Sequence, residues 1–226
     1  GIAEDRAVRV SGEVNHVEGT VRLDPAMLFP ATIADDGRAD GTVEVVLRDA
    51  AGRELWRVRE AAGHTRACCA DPNHVRDTSP LHVLVPAAPR GIEVATIEVV
   101  DVASGDLLAA IDRSPSAPVV EAFGTELADL GGGAGVRDFV AGEAFDAPTT
   151  IRWSAVDPDG DALTAALFYS PDGEAWLPFR ADLTGGAFDL DPEAMPRSEA
   201  GRLRLIVSDG LNATIVESPE MAFLGS

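Results

Sequence analysis

The residues best suited to metal chemistry stand in one short acidic segment, 157–161, with Asp157, Asp159 and Asp161 at alternate positions. Carboxylates spaced in this way in a tight loop can converge on one hard cation, and calcium prefers oxygen ligands. The spacing is not that of an EF-hand, because Gly160 comes too early and Phe168 stands where a bidentate glutamate is needed. The segment therefore predicts either a calcium site formed by the three aspartates or a plain acidic β-turn.

A second segment combines two imidazoles and two thiols, at His64, Cys68, Cys69 and His74. These ligand types suit zinc or copper, although the spacing matches no zinc-finger pattern and adjacent thiols rarely chelate one tetrahedral ion. Neighbouring Cα atoms lie about 3.8 Å apart, whereas a relaxed disulfide needs about 4.4–6.8 Å. The interpretations that remain open are a transition-metal site, a strained redox disulfide and a histidine-rich surface loop over 61–80.

Catalytic motifs are not found in the sequence. It contains no His-Glu-x-x-His, no Gly-x-Ser-x-Gly, no phosphate-binding loop and no dinucleotide fingerprint. Two tryptophans could form a sugar-binding surface, but Trp153 alternates with Ile151 and Ala155 and is expected to face the core. Only Trp176 is expected to be partly exposed. We predict a protein that is not an enzyme, with no catalytic residues and no bound organic cofactor.

The charge balance restricts the partners. Among 226 residues there are 38 acidic and 18 basic residues, for a net charge of −20, and every basic residue is arginine. Such a surface repels phosphate backbones and anionic lipid, so we expect no nucleic-acid binding. The sequence has no apolar run of about 18 residues, so we also expect no membrane insertion. The lack of lysine fits either a GC-rich genome or a high-salt environment, where carboxylates stay hydrated and repulsion is screened.

The elements that would position these residues are β-strands. Short alternating runs separated by turn residues predict an all-β protein made of two consecutive β-sandwich domains, 1–116 and 117–226. The boundary lies at 114–118, which has two prolines and no periodicity. A long glycine-rich loop is predicted over 124–147, with one helical turn at 127–130. The predicted strands are 8–14, 21–23, 42–47, 54–58, 81–85, 92–102, 107–111, 119–123, 150–155, 163–169, 175–179, 203–207, 213–216 and 221–224.

Motifs of the second half resemble fibronectin-type-III and Ig-like domains. They are the alternation around Trp153, the acidic segment 157–161, the Tyr-Ser-Pro-Asp-Gly run at 169–173 and the Val-Ser-Asp-Gly run at 207–210. More narrowly, this half resembles the last domain of large secreted bacterial and archaeal proteins, many of which carry a metallopeptidase-like region upstream. The first half resembles the β-domain that often precedes it, through the motifs at 10–12, 19–25 and 47–52. The resemblance implies an extracellular, non-catalytic accessory or adhesive module.

Two functional hypotheses follow. The first is an extracellular module that positions a substrate or adheres to a protein or polysaccharide surface, with its contacts on loops. The alternative is a self-standing subunit of an extracellular filament or surface layer, joined to copies of itself by β-strand addition. In that case residues 1–9 or 124–147 would supply the donor strand. Asn212-Ala213-Thr214 is also an N-glycosylation acceptor pattern.

Overall fold

The structure is a computed structural model that describes residues 6–31, 33, 41–60, 77–127 and 135–225. It divides into two compact units. Unit 1 contains Gly1–Pro115 and Gly210–Asn212, and unit 2 contains Ser116–Asp209 and Ala213–Ser226. The only helical elements of the described residues are two three-residue 3-10 turns, Pro89–Gly91 and Pro192–Ala194. The prediction of an all-β fold is confirmed.

The described residues of unit 1 form two antiparallel sheets of four strands each. Its strands are β1 (Arg6–Asn15), β2 (Thr20–Leu23), β3 (Met27–Pro30), β4 (Val43–Arg48), β5 (Glu54–Glu60), β6 (Thr78–Pro86), β7 (Thr96–Asp101) and β8 (Leu107–Asp112). In the first sheet β1 pairs with β6 along one side and with β3 and then β2 along the other. The second sheet has the order β5-β4-β7-β8.

The strands of unit 1 follow the alternation of apolar residues. Val45, Leu47, Ile97 and Val99 are fully buried in the second sheet, at alternate positions of β4 and β7. Between β4 and β5 the chain turns at 49–53, where Gly52 has a φ of 75° that favours glycine. The turn joins the strands predicted at 42–47 and 54–58 into an antiparallel hairpin.

In unit 2, two sheets are formed by the part that the structure describes. Its strands are β9 (Val119–Leu127), β10 (Gly135–Asp138), β11 (Ala144–Phe145), β12 (Thr149–Val156), β13 (Thr164–Ser170), β14 (Leu177–Leu183), β15 (Ala187–Leu190), β16 (Ser198–Ser208), β17 (Ala213–Glu217) and β18 (Met221–Phe223). One sheet has the order β10-β9-β12-β15, and the other has the order β11-β18-β16-β13-β14 with β17 also paired to β16.

The core of unit 2 is aromatic at one end and aliphatic at the other. At the aromatic end Tyr169 meets Phe223 edge to face with ring centroids 4.9 Å apart, and Phe145 stacks on Phe223. At the other end Trp153, 8% exposed, packs in a cluster with Leu205. Trp153 therefore belongs to the core, as predicted from its alternation in β12.

The prediction of a loop over 124–147 is wrong for 124–127, 135–138 and 144–145, which are strands, while 139–143 and 146–147 lie outside strands. Residues 124–127 end β9, and β10 and β11 lie further along. The pairing of Gly124 with Asp138 brings the two backbones very close, since a Cβ at Gly124 would lie 1.9 Å from the carbonyl oxygen of Arg137. In a sequence, a glycine that allows two strands to approach closely looks like a loop residue. The pairing of β9 with β10 was therefore not recognised.

The hydroxyl of Thr125 is an unsatisfied polar group in the core of unit 2. The residue is 3% exposed, and its Oγ1 has no hydrogen-bond partner. Burial of such a hydroxyl costs free energy that an apolar isostere avoids. We expect Thr125→Val to raise the free energy of unfolding by about 1 kcal/mol, measured by urea denaturation. A loss of stability instead would show that Oγ1 makes a stabilising interaction.

Candidate cation site at three strand ends of unit 2

Three aspartates of unit 2 lie next to strand ends: two directly follow a strand, and one shortly precedes a strand. Asp157 follows β12, Asp161 precedes β13 and Asp209 follows β16. Thr164 and Ser208 are register partners, so the start of β13 lies beside the end of β16. One carboxylate oxygen of each aspartate lies within 4.8 Å of one oxygen of the other two. This spacing is suited to one cation held by three carboxylates.

The loop between β12 and β13 is folded around the side chain of Asp157. Its Oδ1 accepts hydrogen bonds from the backbone N–H groups of Asp159, at 2.8 Å, and Asp161, at 3.1 Å. The N–H of Gly160 donates to the carbonyl oxygen of Asp157, and Gly160 has a φ of 84°. The sequence therefore folds locally as the tight acidic turn that its composition predicts.

Turn geometry alone does not distinguish a cation site. The carboxylates of Asp101 and Asp172 also accept backbone N–H groups in their turns, and these hydrogen bonds lower the pKa of both side chains. Asp157 differs because its second oxygen, Oδ2, is buried and has no hydrogen-bond partner. A carboxylate oxygen removed from water without a donor is costly, and a bound cation would satisfy it.

The structure changes one member of the predicted site. Asp157 and Asp161 lie together as expected, whereas Asp159 is not in the group and its Oδ2 accepts the N–H of Ser116 at 2.7 Å. Its place is taken by Asp209, which the sequence reasoning missed. The only signal was its position directly after a core strand, in Ser208-Asp209-Gly210.

The other predicted site residues have different outcomes. His64, Cys68, Cys69 and His74 lie outside the described residues, so the transition-metal hypothesis stays a prediction. Trp176 is partly buried, and the guanidinium of Arg204 lies 3.9 Å from its ring centroid. Arg204 is itself 8% exposed. This contact stabilises the position of the indole on the sheet.

Both ends of the Asn212 amide make hydrogen bonds. Its Nδ2 donates to the carbonyl oxygen of Ser114 at 3.0 Å, and its Oδ1 accepts from Arg113 Nη1 at 2.6 Å. N-glycosylation needs a free amide nitrogen, so this geometry disfavours modification of the acceptor pattern in the folded chain.

Comparisons with known proteins give no family assignment. No protein-family model matches the chain, and no curated protein matches it significantly. The resemblance to fibronectin-type-III and Ig-like domains therefore stays a prediction from the sequence motifs. Among the described residues, no helix is long and apolar enough to cross a membrane.

Proposed function

We propose that the protein is a non-catalytic extracellular β-sandwich module that is stabilised by calcium and attaches to a protein or polysaccharide surface. The observation that carries the proposal is the group formed by Asp157, Asp161 and Asp209, with the buried, partnerless Oδ2 of Asp157. Carboxylate oxygens select hard cations, and calcium accepts an irregular set of oxygen ligands, whereas magnesium demands near-octahedral geometry.

The charge of unit 2 supports a cationic ligand. This unit holds 19 of the 38 acidic residues but only six of the 18 arginines. A surplus of negative charge raises the local concentration of divalent cations and repels anionic partners.

An extracellular location sets the calcium affinity that the site needs. Sites with few carboxylates in extracellular modules bind calcium with a Kd of about 10⁻⁴–10⁻³ M, which fits millimolar calcium outside the cell. In this role the ion holds the ends of β12, β13 and β16 together, so that the loops at that end keep a defined shape for contact with a partner.

Strand addition by the segments proposed from sequence has less support. Residues 6–9 lie in β1, between β3 and β6, and residues 124–127 pair with β10. A donor strand must offer unpaired backbone groups, and residues 6–9 already use theirs within the chain, whereas β10 in the second segment is an edge strand. We therefore favour the surface-attached module over the filament subunit.

Calcium is expected to raise the melting temperature. At a concentration of about ten times Kd it should stabilise the folded chain by about 1.4 kcal/mol, which raises the Tm by about 3 °C relative to the chelator-treated protein. The measurement is a thermal melt of the full chain with calcium, with magnesium and with chelator. Asp209→Asn should abolish the calcium-dependent rise.

Asp159→Asn is the matched control. Like Asp209→Asn it removes one aspartate charge, but at a residue of the β12–β13 loop that lies outside the group of three, and its side chain can still accept the N–H of Ser116. It should keep most of the rise. If calcium leaves the Tm of the wild-type chain unchanged, the proposal is contradicted. If both variants lose the calcium-dependent rise equally, the effect comes from general charge and not from a site.

A further inference from the structure

A cleft of about 340 Å³ opens in unit 1, with lining residues from both of its sheets. The first sheet contributes Val14 of β1 and residues of the turn after it. The second sheet contributes Val43 of β4, Asp101 of β7 and Leu108 of β8. A volume of about 300 Å³ is at the small end of ligand sites, so the cleft suits a small molecule or a single side chain.

On the first sheet, a polar residue continues the inner face of β1 into the cleft. Val10 and Val14 are buried on this face, and His16 follows two residues later. The N–H of His16 donates to the carbonyl oxygen of Asp77, which extends the register of β1 against β6, so His16 lies on the same face as Val14. Its Nε2 is hydrogen-bonded to Oγ of Ser79 at 2.7 Å, and this contact fixes the imidazole.

On the second sheet, a carboxylate takes an inner-face position. Ile97 and Val99 are fully buried at alternate positions of β7, and Asp101 is next in the series. Asp101 is also the register partner of Val43, which is buried, and register partners lie on the same face of a sheet. Inner-face positions are normally apolar, and polar residues are expected there where a functional site needs them.

The carboxylate of Asp101 has one oxygen available to a ligand. Its Oδ1 accepts the backbone N–H groups of Ser104, at 2.7 Å, and Ala103, at 2.9 Å, and also the hydroxyl of Ser104. These hydrogen bonds, that from the Ser104 N–H first, lower the pKa of Asp101, so the group is ionised at neutral pH. Its Oδ2 accepts no hydrogen bond from the described residues.

The lining selects a ligand with a positive charge and an aliphatic part. Asp101 is the only Asp, Glu or Arg among the described residues that line the cleft, and the net negative charge of the chain also attracts cations. Val102 and Leu108 are partly exposed in the lining and offer apolar surface. One available carboxylate oxygen suits an ammonium, which is a point charge, better than a guanidinium, which binds carboxylates through two oxygens.

We propose that this cleft binds a primary ammonium group on an aliphatic chain. The ammonium donates to Oδ2 of Asp101 beside the imidazole of His16, and the carbon chain lies against Leu108. A free alkylamine and the lysine side chain of a partner protein share this chemistry. The chain has no lysine of its own, so a lysine in the cleft must come from a different protein and not from a second copy.

The test is an NMR titration of the ¹⁵N-labelled full chain with n-butylammonium at about pH 7.5, where alkylamines are charged and an ordinary histidine is mostly neutral. The N–H resonances of Ala103 and Ser104 should shift in a saturable way, because both groups donate to the carboxylate that the ammonium contacts. 1-Butanol, which has the same carbon chain without the charge, should give no saturable shift. Equal binding of 1-butanol, or no saturation with n-butylammonium, would overturn the proposal.

Two variants locate the charge that binds the ligand. Asp101→Asn removes the charge and keeps an oxygen that can accept the N–H groups of the turn. It should weaken the binding of n-butylammonium about tenfold or more, the size of a lost hydrogen bond to a charged group. The matched control is Asp106→Asn, at an exposed residue of the same turn outside the lining, and it should bind like the wild type. Equal losses in both variants would overturn the site in favour of general attraction.

A second probe separates the two sources of the ligand. Nα-acetyl-lysine N-methylamide carries the same ammonium with peptide groups at the other end of its chain. Binding as tight as that of n-butylammonium supports a lysine side chain of a partner protein. Binding that is weaker by about tenfold or more supports a free alkylamine. Both titrations contain chelator, so their outcome does not depend on calcium at the cation site of unit 2.

Discussion

Gly124→Ala is expected to destabilise the chain by about 3 kcal/mol, at the upper end of the costs of overpacking. The added Cβ would lie 1.9 Å from the carbonyl oxygen of Arg137 and 2.7 Å from its carbonyl carbon. Both are backbone atoms of β10, so relief requires the two strands to move apart. Such movement weakens the hydrogen bonds between β9 and β10. Urea denaturation, followed by circular dichroism and tryptophan fluorescence, measures the loss.

Gly135→Ala is the matched control for this prediction. Gly135 lies in the same strand pair, but a Cβ there meets only the Leu127 side chain, at 3.6 Å. This is an ordinary van der Waals distance, and alanine lowers the entropy of the unfolded chain, so the change should stay within about 1 kcal/mol of the wild type. Equal effects of the two substitutions would contradict the close approach at Gly124.

Gly12 of unit 1 shows the same arrangement. Its Cβ would lie 2.2 Å from the carbonyl oxygen of Arg22, on the paired strand β2. Each unit therefore has a glycine that allows two neighbouring strands to approach closely. In the sequence Gly124 resembles a loop glycine, because only the partner strand reveals the contact.

The second large effect is expected at alkaline pH and comes from Tyr169. This residue is 1% exposed, and its hydroxyl donates to the carbonyl oxygen of Pro196 at 2.7 Å. Burial raises the pKa of Tyr169, with a smaller opposing effect from Ser198. It is the only tyrosine, and the chain has no lysine. Few other groups titrate near pH 10 in this protein.

The sign of the pH dependence follows from the raised pKa. Above pH 10 the unfolded chain loses the phenol proton while the folded chain keeps it. The free energy of unfolding therefore decreases as the pH rises. The slope is about 1.4 kcal/mol per pH unit until the pH reaches the pKa of the folded state. Urea denaturation between about pH 8 and 11 measures it. A background with Cys68→Ser and Cys69→Ser removes the thiols, which titrate near pH 8.5.

Tyr169→Phe tests the assignment. At neutral pH it should cost about 1 kcal/mol, because the hydrogen bond to Pro196 is lost. Above pH 10 its stability should stay nearly constant, and it should then exceed that of the wild type. A slope that persists in Tyr169→Phe would place the alkaline transition at another group.

The local features of this protein follow from the sequence. The alternation of Ile151, Trp153 and Ala155 predicted both β12 and the burial of Trp153, because side chains alternate between the faces of a strand. Pro178 lies in β14, at the edge of its sheet, which is where proline is tolerated because it cannot donate to a neighbouring strand. The turns at Gly52 and Gly160 were also evident, because their positive φ angles require glycine.

Other strands could not be recognised from the sequence. β3, β10, β11 and β15 have only two to four residues each, and such short runs show no reliable alternation. They become strands because a longer neighbour offers backbone groups to pair with, as β1 does for β3 and β12 for β15.

The candidate cation site shows the same division between sequence and tertiary structure. The sequence determined the tight acidic turn at 157–161, because its hydrogen bonds join residues at most four positions apart. Only the tertiary structure decided that Asp209 joins Asp157 and Asp161 and that Asp159 does not. That choice depends on the register of β13 against β16, which pairs Thr164 with Ser208. Register is set by packing of the whole sheet, so local sequence patterns do not contain it.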